Sequence, residues 1–188
     1  MIRCYITDRR TLSGSLVGAI ARNLAAGVTW IQIREKDLSA RALFELVEAA
    51  VKLPNPHGSK FIVNTRADVA IAAGAAGVHL PSGSPPAHFW RRPGFMVGVS
   101  CHSVAEVRNA EADGVDYDVF GPVFPPRSKT VRAEPLGLDG LRQATSAVRI
   151  PVLALGGVTR ENSAACISAG AAGIAGITIF QELVKSNS

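Results

Sequence analysis

At 188 residues, 47% of them hydrophobic and only 19% charged, the chain can bury one core, is too short for two ordinary domains, and is not the composition of a disordered polymer. The formal net charge of +5 comes from scattered basic residues, with doublets only at Arg9/Arg10 and Arg91/Arg92 and no aromatic interleaving, which argues against nucleic acid and for a small anionic metabolite. Three separated cysteines, Cys4, Cys101 and Cys166, with no CxxC pair, exclude a disulfide framework or a zinc site and suit a reducing, cytoplasmic setting.

Taken in chain order, the elements alternate. A strand at CYIT (4–7) precedes a helix at SLVGAIARNLAAG (15–27), and a strand at VTWIQIR (28–34) precedes a helix at SARALFELVEAAVKL (39–53). KFIVN (60–64) leads to the helical VAIAAG (69–74), and AGVHL (76–80) to PSGSPPAHFWRRPG (81–94), which has room for one turn of helix. FMVGVS (95–100) is followed by SVAEVRNAEADG (103–114), DYDVFG (116–121) by a long loop and LDGLRQATSA (138–147), and PVLAL (151–155) by ENSAACISAG (161–170). AGIAGIT (172–178) closes the series as the last strand, with a short helix after it. Ser39 and Ser103 have the place of N-caps, and Glu106, three residues after Ser103, predicts a capping box there. Strand–helix alternation means a parallel sheet, and eight units predict an α/β fold of the TIM-type (β/α)8 barrel class, with residues 1–188 as one small domain with trimmed loops. No GxGxxG follows the first strand, so a dinucleotide fold is disfavoured. No apolar run nears the roughly 20 residues of a membrane span, and the opening MIRCYITDRR has no leader-like apolar region, so neither membrane nor secretion is expected.

In such barrels chemistry sits at the carboxyl ends of the strands. Gln32, Arg34 and Lys36 are spaced by two, so they share a side opposite Ile31 and Ile33 and form a row climbing to the mouth. Two adjacent cations there need an anion between them, unless a carboxylate such as Asp8 or Glu35 bridges them. The third strand ends at Asn64, before Thr65 and Arg66; the fourth ends at His79 and the fifth at Ser100, with His102 just beyond. Each histidine is either a satisfied structural residue or a proton carrier. The proline-rich GPVFPPRSKT (121–130) presents Arg127, Ser128 and Lys129 on a stiff loop. Gly156 and Gly157 end the seventh strand, and Ile177 and Thr178 end the eighth. There small residues and a short helix suit a phosphate ester.

These blocks together resemble the thiamin-phosphate synthase superfamily, including its thiazole tautomerase (TenI-type) branch. The resemblance runs through YITD (5–8), QIREK (32–36), FIVNTRADVA (61–70), AGVHLPSGS (76–84), VGVSCHSVAEV (97–107), DYDVFGPVF (116–124), PVLALGGVTREN (151–162) and AGAAGIAGITIF (169–180). For a synthase it implies Mg2+-assisted loss of pyrophosphate from hydroxymethylpyrimidine pyrophosphate and capture of the cation by a thiazole phosphate. It implies that Gln32, Arg34, Lys36 and Asn64 hold the pyrimidine pyrophosphate, that Ser100 and Lys129 lie at the chemical centre, and that Ser128, Lys129, Gly156, Gly157, Ile177 and Thr178 embrace the thiazole phosphate.

The departures from that pattern are specific. Thr65 and Ser84 stand where the synthase carries metal-binding aspartates, and Pro126 replaces a loop threonine. Mg2+ requires anionic oxygen ligands, so no metal ligand is assigned, and Mg2+ is expected only under the synthase reading. LPSGS is similar to the tautomerase branch, although that branch's loop histidine is Pro122 here. The sequence reading is therefore a TenI-like protein that binds a thiazole phosphate and tautomerises it. Proton transfer would fall to Lys36, His102 or His79, with Ser100 and Lys129 also at the chemical centre. The alternatives are the synthase itself and a non-catalytic binder of thiamin precursors. The expected partner is a small phosphate ester, and homo-oligomerisation is left open.

Overall fold

The computed structural model describes residues 1–125 and 134–182, the side chain of Glu182 excepted. Eight parallel strands form a closed barrel in sequence order: β1 (Ile2–Ile6), β2 (Trp30–Ile33), β3 (Lys60–Asn64), β4 (Gly77–Leu80), β5 (Met96–Cys101), β6 (Tyr117–Phe120), β7 (Val152–Ala154) and β8 (Gly173–Gly176). β8 pairs back onto β1, from Ile2 opposite Gly173 to Tyr5 opposite Gly176, so no strand edge is left open. Among the described residues the helices are α1 (Leu16–Ala25), α2 (Ala40–Val51), α3 (Ala67–Ala72), α4 (Val104–Ala112), α5 (Gly137–Ala147), α6 (Arg160–Ser168) and α7 (Thr178–Glu182). The trimmed 81–94 connection holds a single 3-10 turn, Ala87–Phe89, and a second turn, Arg9–Thr11, follows β1 under an Asp8 cap.

Side-chain alternation along each strand sorts the core into two layers. Ile31, Ile33, Phe61, Val63, Val78, Val97, Phe120 and Val152 face the helices and join their buried faces. Cys4, Ile6, Trp30, Ile62, Tyr117, Val119, Leu153 and Ala175 face inward and fill the barrel as a dry plug. The plug fills the barrel interior with apolar side chains, so the polar residues at the carboxyl ends of the strands sit above it, at the mouth.

Ser15, Ser39 and Ser103 cap α1, α2 and α4 through their hydroxyls, the second and third as the sequence predicts. The expected return bond at Ser103 is not made: Glu106 reaches one residue further and accepts from the backbone N–H of His102 at 2.9 Å. The complete capping box lies instead on α6, between Thr159 and Asn162.

Candidate functional site

The mouth is floored by one register row. Asn64 of β3 sits opposite His79 of β4, His79 opposite Gly98 of β5, and Gly98 opposite Tyr117 of β6. A Cβ at Gly98 would overlap the Tyr117 ring; its absence lets the phenol cross β5 and reach His79. His79 is buried and bridges Tyr117 Oη, at 3.2 Å from Nδ1, to Ser100 Oγ, at 2.9 Å from Nε2. Burial, with a smaller contribution from the Arg34 charge, lowers its pKa to about 3, so the imidazole stays neutral. A ring with both nitrogens engaged and so low a pKa is a positioning device, not a base at neutral pH.

On the neighbouring strands the amides are oriented by their bonds. The Thr65 hydroxyl donates to the Asn64 carbonyl at 2.6 Å, so its oxygen is left to accept from Asn64 Nδ2 at 3.1 Å. That points Asn64 Oδ1 at Gln32, which donates Nε2–H to it at 3.1 Å. Gln32 Oε1 is then buried with no donor, an orphan acceptor at the foot of the mouth. Thr65 itself has φ 61, a left-handed conformation that a β-branched residue rarely adopts.

The predicted Gln32–Arg34–Lys36 row does not continue as a strand. β2 stops at Ile33 because the N–H of Arg34 donates to Thr7 Oγ1 at 3.0 Å rather than to the ladder. Gln32 faces inward as expected, Arg34 is half-buried at the rim, and Lys36 lies exposed on the turn beyond, where it borders a cavity of about 140 Å³ together with Asn64 and Thr65. Neither proposed carboxylate bridges the two cations. Glu35 is buried and accepts from Thr7 Oγ1 at 2.7 Å and from Arg9 at 3.0 Å, while Asp8 pairs with Arg10. Neither the Arg34 guanidinium nor the Lys36 ammonium has a partner among the described residues.

His102 lies exposed past the end of β5 and donates Nδ1–H to the Gly121 carbonyl at 2.6 Å, while Nε2 has no partner among the described residues. Gly156 and Gly157 adopt φ 90 and 61, and a Cβ on either would overlap the loop after β6, Pro122 in one case and Phe124 and Pro125 in the other. The segment after β8 turns from strand to helix as expected. The backbone N–H groups of Gly157, Ile177 and Thr178 have no acceptor among the described residues. Arg127, Ser128 and Lys129 lie outside the described residues.

The donor set does not fit a Mg2+ ion. Thr65 Oγ1 is spent on Asn64, Ser84 Oγ donates to the Pro81 carbonyl at 2.8 Å, and Asp68 is paired with Arg66. Among the described residues no three His, Cys, Asp or Glu side chains converge as metal ligands. Sequence reasoning passed over Tyr117, whose inward parity beside a glycine on the adjacent strand was the available signal, and Thr7, which both seats Glu35 and ends β2.

No helix among the described residues is long and apolar enough to cross a membrane. The solved thiamine phosphate pyrophosphorylase of Pyrococcus furiosus superposes with a TM-score of 0.85 at 33% identity, over 98% of this chain and 94% of that one. A putative thiamine-phosphate synthase of Geobacter sulfurreducens is 44% identical over 174 residues, 90% of this chain and 82% of its own length. The thiamine-phosphate synthase of Chlorobium luteolum is 43% identical over 180 residues, 94% and 84% respectively. The family model described as thiamine monophosphate synthase matches residues 4–180. With the family model, the relatives and the barrel in agreement, this chain belongs to the thiamine monophosphate synthase family.

Proposed function

We propose that the chain couples hydroxymethylpyrimidine pyrophosphate to thiazole phosphate, the reaction of a thiamin-phosphate synthase, without a carboxylate-held metal. The observation that carries this reading is the orphan Gln32 Oε1 in a mouth whose rim carries Arg34, two residues further along the chain, half-buried and without a partner among the described residues. A buried acceptor in the same mouth as a half-buried cation matches a ligand that carries an N–H donor and an anion on one small frame, as an aminopyrimidine pyrophosphate does. Relatives named as synthases at 43% identity support it over the tautomerase reading that the sequence alone favoured. Arg34 and Lys36 hold the departing pyrophosphate, Ser100 donates toward it, and the free N–H groups of Gly157, Ile177 and Thr178 take the thiazole phosphate. The dry plug beneath keeps water from the pyrimidine cation.

The tautomerase remains as the second reading, favoured by the position of His102, whose Nε2 has no partner among the described residues, and by Thr65 and Ser84, which supply no metal-binding carboxylate. One experiment separates the two. Both precursors are incubated with the protein, with and without Mg2+, and coupled product is measured; the thiazole carboxylate phosphate is incubated alone in parallel. Coupling with less than tenfold Mg2+ dependence supports the synthase reading, whereas proton exchange at the thiazole without coupling supports the second.

A further inference from the structure

Three groups in series, Tyr117 Oη, the His79 ring and Ser100 Oγ, run from the dry interior of the barrel to its mouth. Two proton arrangements satisfy the two distances. In one, Tyr117 O–H donates to Nδ1, Nε2–H donates to Ser100 Oγ, and the Ser100 O–H is left over. In the other, Ser100 O–H donates to Nε2, Nδ1–H donates to Tyr117 Oη, and the phenol proton is left over.

The surroundings distinguish them. Tyr117 is fully buried in the plug, its ring 4.7 Å from that of Trp30, and among the described residues its oxygen has no hydrogen-bond partner except His79. A phenol proton left over there has nothing to receive it, at a cost of about 1–3 kcal/mol. Ser100 is half-buried at the rim, where water or a ligand receives its proton without loss. Burial holds the phenol pKa well above 10, so the proton is present throughout the working range, and the neutral state of His79 keeps one ring nitrogen as an acceptor.

We infer that Tyr117 is a positioning residue: its O–H fixes His79 as the Nε2–H tautomer, and that tautomer makes Ser100 a hydrogen-bond donor to the anion in the mouth. The interior end of the chain thus decides what the exposed end offers a ligand. The same polarity denies Ser100 a base, so its hydroxyl binds and does not attack. The inference rests on the proposed function only in taking the ligand to be an anion; the tautomer is a property of the free protein.

Nitrogen-15 NMR of histidine-labelled protein reads the tautomer directly. The free parent protein is expected to show His79 with Nε2 protonated and Nδ1 bare, and Ser100→Ala is expected to keep that pattern, since the phenol dictates it. Tyr117→Phe retains the ring and is expected to give a mixed or reversed tautomer. In calorimetry with inorganic pyrophosphate, Tyr117→Phe is expected to weaken binding roughly two- to tenfold in the parent background, the size of one neutral hydrogen bond. It should change nothing in the Ser100→Ala background, because its effect passes through Ser100. A parent His79 protonated on Nδ1 overturns the inference whether or not the variants fold, and so does a Tyr117→Phe effect that persists without Ser100. Absence of coupling activity with the expected tautomer intact would sink the synthase reading and leave this one standing.

Discussion

Asp118 offers a test of the fold that does not depend on the ligand. It lies on the helix-facing side of β6, in the parity of Phe120, with no exposure and with neither carboxylate oxygen hydrogen-bonded among the described residues. Burial raises its pKa from 3.8 to about 7. Between those values the folded protein holds a proton that the unfolded chain has released, so stability falls as pH rises from 4 to 7 and is flat beyond. The shift is about 3 units at 1.36 kcal/mol each, so the ceiling on the loss is about 4 kcal/mol, a large part of the 5–15 kcal/mol typical of a domain. Asp118→Asn keeps the shape and removes the titration. Urea unfolding of both proteins from pH 4.5 to 8, taking the difference at each pH, cancels every other titrating group. Asparagine should gain relative to aspartate as pH rises and plateau above 7. A difference that stays constant across the range would mean that the carboxylate is ionised and solvated, and the packing argument for β6 would be wrong.

Arg34→Met keeps the stem and removes the charge, so pyrophosphate affinity measured by calorimetry should fall by roughly one to two powers of ten, with the unfolding midpoint unchanged. Thr65→Asn relieves a left-handed β-branched residue and should raise the urea midpoint by an amount worth about 1 kcal/mol; a fall would show that the Thr65–Asn64 bonds outweigh the strain. Gly98→Ala places a methyl in the Tyr117 ring and should lower thermal stability by about 3 kcal/mol or more, the upper range for overpacking, as read by circular dichroism.

The barrel was legible because its signal is redundant: eight short apolar segments each carry the same alternation, and KFIVN gives the bounds of β3 to the residue. Strand ends were less so. Parity carried Gln32 inward but failed at Lys36, because it cannot register that Thr7, from another strand, takes the Arg34 N–H and ends the ladder. The box at Thr159 and Asn162 escaped because its third position carries an amide one methylene shorter than the glutamate or glutamine usually sought. At the site, the residue types pointed to an anion without showing which acids were already spent. The paired states of Glu35, Asp8 and Asp68 depend on contacts at tertiary range or on rotamers, which no spacing encodes.

Those spent acids explain how a modest net charge becomes a focused one. Arg9 engages both Glu35 and Asp37, Arg66 engages Asp68, and Arg10 engages Asp8, so each of these carboxylates is neutralised before a ligand arrives. Among the described residues Arg34 and Lys36 are left uncompensated, at the mouth that holds the orphan acceptor of Gln32. Charge counting then bears on the two substitutions that separate this chain from the synthase pattern it resembles. Two aspartates with one divalent cation sum to zero, and so do Thr65 and Ser84 with none. Under the proposed function an arriving pyrophosphate meets the same net charge from that quadrant in either case, and among the described residues the attraction falls to Arg34 and Lys36. The change removes an ion that must be recruited from solution and leaves the electrostatics of the mouth in balance. Under the proposed function it is therefore a compensated substitution, of the kind a working site tolerates.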